Sequence, residues 1–179
     1  MSRLLRFGAV LCIVGLLLTW TVASPTATAQ AKTFKIGLVY DVGGRGDLSF
    51  NDMAAAGLDK AAKDMVGRIE TKELEPTAGG ENREELLRLL AGEKYDLILG
   101  IGFLFTDSVT RTAKDFRGVK FAIVDGFIPD QPNVAALLFK ENEGSFLVGC
   151  AAGLKTKTNK VGFVGGMKIP LIETFEAGL

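Results

Sequence analysis

The sequence predicts an α/β fold built on a doubly wound parallel sheet. Short apolar segments alternate with segments of helical periodicity across most of residues 34–179. The apolar segments are continuous, which is typical of strands that are buried on both faces of a parallel sheet. Because crossovers between parallel strands are right-handed, we expect helices on both faces of this sheet.

Six segments are predicted to be strands because they are short, mostly apolar and bounded by turn residues. The predicted strands are Phe34–Tyr40, Arg68–Leu74, Asp96–Ile101, Lys120–Val124, Val134–Phe139 and Val161–Val164. The second is the weakest of these, and the turn 76–80 follows it.

Five segments between the strands are predicted to be helices. They are Phe50–Met65, Asn82–Ala91, Thr106–Phe116, Glu143–Leu154 and the segment that begins at Glu173. In the first helix, apolar residues recur at i, i+3 and i+4, with Phe50 and Met53 in the apolar set. Ser49 is predicted to cap this helix, with Asp52 in the place of a capping-box acid.

Composition excludes several classes of function. The 179 residues include 21 Lys and Arg, 21 Asp and Glu, two Cys and no His. The balanced charge offers no basic field for a nucleic acid. Without His, the chain has no His-dependent triad, general base or His metal ligand. Two Cys cannot form a Cys-rich zinc site or a disulfide scaffold.

Residues 1–31 have the pattern of a secretory signal peptide. Arg3 and Arg6 precede an apolar run, and the segment ends in an A-x-A pattern at Ala29–Ala31. The alternative is a membrane anchor, for which the apolar run is somewhat short. Cys12 is a poor site for lipid attachment because Leu11 precedes it where a small residue is expected.

The loop after the first predicted strand is a candidate binding site, because ligands of open parallel sheets lie at the carboxyl ends of the strands. The loop contains three glycines, which permit close approach of the backbone to a ligand. It is too acidic for a phosphate and suits a neutral polyol, whose hydroxyls donate to carboxylates. Phe50 is either a core residue or a ligand contact, and Asp41 is either a turn residue or a ligand group.

The loops after the third and fourth strands offer further candidates. Gly102 belongs to a G-x-G sequence that lacks the third glycine of a dinucleotide fingerprint. Phe103 and Phe105 are either core residues or walls of a pocket. Asp125 stands at a strand tip beside a glycine and is either a helix cap or a ligand group.

Four collinear stretches resemble the basic membrane protein (BMP) family, which is PnrA-like. They are IGLVYDVGGRGDLSFND (36–52), LILGIGFLFTDSV (97–109), KFAIVDG (120–126) and EGSFLVGCAAGLKTKTNKVGFVGG (143–166). The family comprises exported substrate-binding proteins, many of them lipoproteins, of ABC importers. Its well-understood members bind purine nucleosides.

The resemblance implies a type I periplasmic-binding-protein fold, in which two α/β lobes close around a ligand. Carried over by position, Asp41 would meet the purine base and Phe50 would stack on it. Ser49 and Asn51 would donate or accept nearby, and Asp125 would hold the ribose hydroxyls. Gly102 and Phe103 would form part of the pocket wall. Guanosine, inosine or adenosine would be the ligand, with no catalytic residue, metal or cofactor.

The resemblance also implies how the chain divides. Residues 1–31 would be the signal peptide, 32–140 the first lobe and 141–179 the start of an incomplete second lobe of an N-terminal fragment. We expect an exported protein in the periplasm or at the outer face of the cell membrane, with an importer permease as partner and no nucleic acid. A lipid anchor stays open. The alternatives are a ligand-sensing transcriptional regulator of the same fold and a nucleoside hydrolase.

Overall fold

Within the described part of the chain, five parallel strands form one sheet in the spatial order β2-β1-β3-β4-β5. The structure is a computed structural model and describes residues 32–179. The signal-peptide prediction lies outside these residues. The strands are β1 (Phe34–Val39), β2 (Ile69–Leu74), β3 (Leu97–Ile101), β4 (Lys120–Val124) and β5 (Val134–Leu137). The predicted parallel α/β fold class is confirmed.

Five α-helices follow the strands in chain order within residues 32–179. They are α1 (Phe50–Asp64), α2 (Arg83–Gly92), α3 (Thr106–Asp115), α4 (Glu141–Lys155) and α5 (Pro170–Gly178), with one 3-10 turn at Phe103–Phe105. Helix α5 begins three residues before the predicted start, because Pro170 occupies its first turn, where the missing N–H costs nothing. None of the helices between residues 32 and 179 is long and apolar enough to cross a membrane.

The core lies on both faces of the sheet. On one face, α2 and α3 bury a large cluster that includes Leu87, Ile98 and Phe105. On the other face, α1 covers a smaller cluster around Leu38 and Leu58. Adjacent strand residues therefore point into different clusters, as expected for strands that are buried on both faces.

The strand order reverses direction between β1 and β3. From β1 the chain first adds β2 on one side and then adds β3, β4 and β5 on the other. In open parallel sheets, the crevice at such a switch point is the usual ligand site. The loops that begin at Asp41 and Gly102 flank this crevice, and Asp125 follows the next strand.

The predicted sixth strand, Val161–Val164, is wrong. This segment is irregular and exposed, and Val164 is 98% exposed. A strand needs a hydrogen-bonded neighbour, and none of the five described strands lies beside it. Helix α4 instead packs mainly against α5.

The predicted apolar stripe of α1 is also partly wrong. The buried residues are Asn51, Ala55 and Leu58, whereas Phe50 is 46% and Met53 is 68% exposed. The helix is rotated so that a polar residue, Asn51, faces inward. Hydrophobic periodicity alone could not predict this rotation, because it depends on what Asn51 binds.

Candidate functional site

The acidic residues of loop 41–49 hold the loop and the start of α1 together. The Asp47 carboxylate accepts hydrogen bonds from the backbone N–H groups of Ser49 (2.8 Å), Asn51 (3.0 Å) and Asp52 (3.1 Å). Desolvation alone would raise the Asp47 pKa, but these donors outweigh it and lower the pKa. Asp52 in turn accepts from the backbone N–H groups of Gly46 and Leu48. Ser49 occupies the N-cap position but makes no side-chain capping bond, so the predicted capping role belongs to Asp47.

Arg45 fastens the same loop to the sheet and to α1. Its guanidinium donates two hydrogen bonds to Asp59, at 2.9 and 3.0 Å, and two to Glu73, each at 2.7 Å. Tyr40 also donates to Glu73. The glycine-rich loop is therefore anchored at both ends and at its middle.

Asp41 is fixed by two side chains. The Asn51 amide is 2% exposed and accepts from the Asp41 backbone N–H at 3.0 Å, while it donates to the Asp41 carbonyl at 3.3 Å. The Arg83 guanidinium donates to one Asp41 carboxylate oxygen, Oδ1. Asp41 is thus held in a fixed position, and it also begins a turn, because its carbonyl accepts a hydrogen bond from the Gly44 N–H at 3.1 Å.

Gly102 lies beside Asp41 at the switch point, and Phe103 follows it in the chain. Gly102 has a φ of +98°, a conformation open to glycine and costly for other residues. A Cβ at this position would stand 3.4 Å from Asp41 Oδ2. Phe103 lines a cavity, whereas Phe105 is fully buried in the core, which resolves the two alternatives for these rings.

Phe50 faces a concavity at the carboxyl ends of the strands, which we call the carboxyl edge of the sheet. Its ring meets the ring of Phe139 edge to face, with centroids 6.5 Å apart. These two rings, with Ser49, Met53, Ala54 and Val124, line a cavity of about 490 Å³. The structure places Phe50 at an open edge and not in the core.

Asp125 lines a neighbouring cavity of about 730 Å³ and is only 8% exposed. No described residue donates a hydrogen bond to its Oδ1 atom. Burial raises the pKa of the Asp125 carboxyl, and the nearby Glu141 carboxyl raises it further. Its backbone adopts φ +64°, which is uncommon for a residue other than glycine.

The predicted site residues gather at one edge of the sheet, on three adjacent strands. Neighbouring strands lie about 4.8 Å apart, so the tips of β1 and β4, with β3 between them, are about 10 Å apart. Ser49 is exposed at the rim, and the Asn51 side chain is occupied by Asp41. Sequence reasoning missed Arg83, Phe139 and Glu141, whose contacts with the site join residues from different elements.

The lining chemistry suits a ligand with an apolar face and several hydroxyl or N–H donors. Both cavities have aromatic walls, and the larger contains three carboxyl groups, those of Asp107, Asp125 and Glu141, but no Lys or Arg. Within residues 32–179, no cluster of three or more potential metal ligands is found.

Comparisons with known proteins show the family and the fold to which the chain is similar. The sequence model of the family described as "ABC transporter substrate-binding protein PnrA-like" matches residues 34–179. The crystal structure of an ABC transporter system solute-binding protein from Aeropyrum pernix K1 superposes with a TM-score of 0.67 at 35% identity. The superposition covers 81% of this chain and 41% of the Aeropyrum chain.

Three curated relatives show the same similarity. A CD4+ T-cell-stimulating antigen of Listeria monocytogenes is 43% identical over 83% of this chain and 42% of its own length. An uncharacterized lipoprotein of Pyrococcus abyssi is 34% identical over 97% of this chain and 45% of its own. The ABC transporter nucleoside-binding protein BmpA of Lactococcus lactis is 35% identical over 87% of this chain and 45% of its own length. The chain therefore spans less than half the length of these relatives.

Proposed function

The chain belongs to the family of PnrA-like ABC transporter substrate-binding proteins, and on this premise we propose that it binds purine nucleosides for an ABC importer. The family resemblance identified from the four sequence stretches is confirmed. The solute-binding fold is shared with the Aeropyrum protein. One observation carries the nucleoside proposal: an exposed aromatic ring and an unpartnered buried carboxylate share the carboxyl edge of the sheet.

Phe50 supports binding of the purine base. Its ring is 46% exposed, stands at the switch-point edge and has the Phe139 ring beside it. Stacking of a base on an aromatic side chain is worth about 1–3 kcal/mol. A flat heterocycle laid on Phe50 would also cover apolar surface that the described chain leaves open.

Asp125 supports binding of the ribose. Its Oδ1 atom is buried without a hydrogen-bond donor, which is costly for a polar group. The sugar hydroxyls would supply donors, and hydrogen bonds to a charged acceptor are stronger than neutral ones. Glu141 lies beside Asp125 on the same cavity wall and would take part in holding the sugar.

The remaining predicted residues take supporting roles. Asp41 would accept from a base N–H, and Gly102 and Phe103 would shape the wall beside it. Ser49 would contact the ligand at the rim. Asn51 would act by holding the Asp41 backbone, because both ends of its amide already bind there.

The division into lobes and the cellular setting belong to the same proposal. Residues 32–140 would form the first lobe and 141–179 the start of a second, which would close over the ligand around a hinge. Residues 1–31 would direct export, as their composition predicts. A location outside the cytoplasm would match the relative named as a lipoprotein. Such a protein delivers its ligand to a permease and carries out no reaction.

Calorimetric titration of the whole gene product with inosine, adenosine and guanosine tests the proposal. We expect Phe50→Ala to weaken nucleoside binding more than tenfold, because the stacking surface is lost. Phe34→Ala is the matched control, since Phe34 is 43% exposed but lies at the opposite, amino end of β1. Equal dissociation constants for Phe50→Ala and the unsubstituted protein would refute the role of this ring.

A further inference from the structure

Arg83 reaches from the first residue of α2 to the carboxylate that follows β1. Its Nε and Nη2 atoms donate to Asp41 Oδ1 at 3.1 and 2.5 Å. The side chains of the two residues are 14% and 29% exposed, so the pair is partly shielded from water. Forty-two positions separate them in sequence, and neither the loop nor the helix alone indicates the contact.

The guanidinium of Arg83 is itself held in place. Its Nη1 atom donates to the Gly80 carbonyl at 3.0 Å. Its plane lies over the ring of Phe105, with the guanidinium carbon 5.6 Å from the ring centroid. Because Phe105 is fully buried, this support is part of the rigid core.

The two oxygens of Asp41 consequently have different environments. Oδ1 receives the two Arg83 bonds and a third from the Val42 backbone N–H at 2.8 Å. Oδ2 receives no hydrogen bond from any residue in the described range and faces Gly102, where a Cβ would stand 3.4 Å away. The carboxylate is therefore saturated at Oδ1 and free to accept a hydrogen bond at Oδ2, on the side of Gly102.

We infer that Arg83 is a positioning residue that makes Asp41 a one-oxygen acceptor, selective for purine nucleosides whose base carries an N–H donor. This inference rests on the nucleoside-binding proposal above. A base without such a donor would leave Oδ2 desolvated and unpaired, and sites built around a hydrogen bond reject analogues that lack it. Inosine, whose base has one N–H, is the matching ligand class.

Inosine and nebularine form the test pair, because the nebularine base lacks any N–H and adds no bulk. Their dissociation constants are measured by calorimetry in the protein as its gene encodes it. We expect the unsubstituted protein to prefer inosine by at least tenfold. In Arg83→Met this preference should fall at least tenfold, because Asp41 is free to turn, and Arg83→Lys should retain part of it.

Arg88→Met is the matched control on the same helix. Arg88 pairs with Glu84 and Asp115, away from the crevice, so the ratio should stay unchanged. Asp41→Asn is a second variant that does not depend on how Arg83→Met folds. It keeps an oxygen for Arg83 and turns an N–H donor toward the ligand, so it should reverse the preference toward nebularine.

The outcomes distinguish this inference from the proposal that the protein binds purine nucleosides. An unchanged inosine-to-nebularine ratio in folded Arg83→Met overturns the role of Arg83, and an unreversed preference in Asp41→Asn overturns Asp41 as the acceptor of the base N–H; either result leaves nucleoside binding standing. Absence of any nucleoside binding by the unsubstituted protein overturns both.

Discussion

Asp125 combines features that do not stabilise the fold. It is 8% exposed, its backbone has positive φ, and its Oδ1 atom has no hydrogen-bond donor among the described residues. A second carboxyl group, Glu141, lies beside it and raises its pKa together with burial. Such a combination costs stability and is retained at sites where a ligand supplies the missing donors.

We therefore predict that Asp125→Asn stabilises the free protein and weakens nucleoside binding. The asparagine amide can donate to Glu141, where a carboxylate can only repel it, and Asn tolerates positive φ. At neutral pH the gain in unfolding free energy should be about 1 kcal/mol. Urea denaturation measures the stability, and calorimetry with inosine measures the loss of affinity.

The pH dependence of this gain follows from the raised pKa of Asp125. An acid whose pKa is higher in the folded state is favoured there while protonated and penalised once it is ionised. The stability difference between Asp125→Asn and the unsubstituted protein should thus vanish below the ordinary Asp pKa of about 3.9 and grow as the pH rises above it toward neutral. A difference that is constant across this range would show that the carboxyl charge is not the cause.

The sequence predicted where the candidate residues lie in the fold better than it predicted their contacts. Asp41, Phe50 and Asp125 could be chosen because each follows a predicted strand or begins a helix. Periodicity suggested a core position for Phe50, and only the rotation of α1 around Asn51 shows that its ring is open. Arg83 could not be found, because an ion pair across 42 positions leaves no local pattern.

Among the elements, loop 41–49 and helix α1 act as one unit. Three backbone N–H groups of the helix start bind Asp47, and Asp52 binds back to the loop. Sequence predicted a capped helix start here but assigned the cap to Ser49. Ser49 occupies the N-cap position, but the loop places the Asp47 carboxylate within hydrogen-bonding distance of the backbone N–H groups at the helix start.

We predict that Asp47→Ala loosens the start of α1 and that Ser49→Ala does not. Loss of the Asp47 carboxylate leaves the amides of Ser49, Asn51 and Asp52 without their acceptor. Hydrogen exchange at these amides should become faster in Asp47→Ala and stay unchanged in Ser49→Ala. Equal protection in both variants would contradict the assignment of the cap.

The strands were predicted more reliably than the segment after α4. Each of the strands β1 to β5 has a hydrogen-bonded neighbour, and β1, β3 and β4 are also apolar and largely buried, so the apolar pattern sufficed for those three. Val161–Val164 has the same pattern but no described neighbour, and pattern alone cannot distinguish the two cases. The spatial order of the strands also depends on packing, which the sequence pattern does not encode.

At the scale of the whole molecule, the carboxyl edge is open and partly apolar. Phe127, Phe139 and Leu138 are each more than half exposed along it, and so are Phe146, Leu147 and Val148 on α4. An α4 that exposes apolar residues is typical of a helix that belongs against another layer of structure. This surface supports the proposal that residues 141–179 begin a second lobe.

We predict that residues 32–179 alone bind nucleosides weakly, because a single lobe cannot enclose the ligand. Calorimetry should detect little or no binding of inosine. An NMR titration at millimolar inosine should nevertheless shift the amide signals near Phe50 and Asp125 more than those at the amino ends of the strands. Submicromolar binding by this chain would contradict the need for a second lobe.

The most direct measurement is a crystal structure, with inosine bound, of the protein as its gene encodes it. The account predicts that the hypoxanthine ring lies against Phe50 and that ribose hydroxyls approach Asp125 Oδ1 within hydrogen-bonding distance. Inosine bound elsewhere, or a crevice that stays empty at saturating inosine, would contradict it.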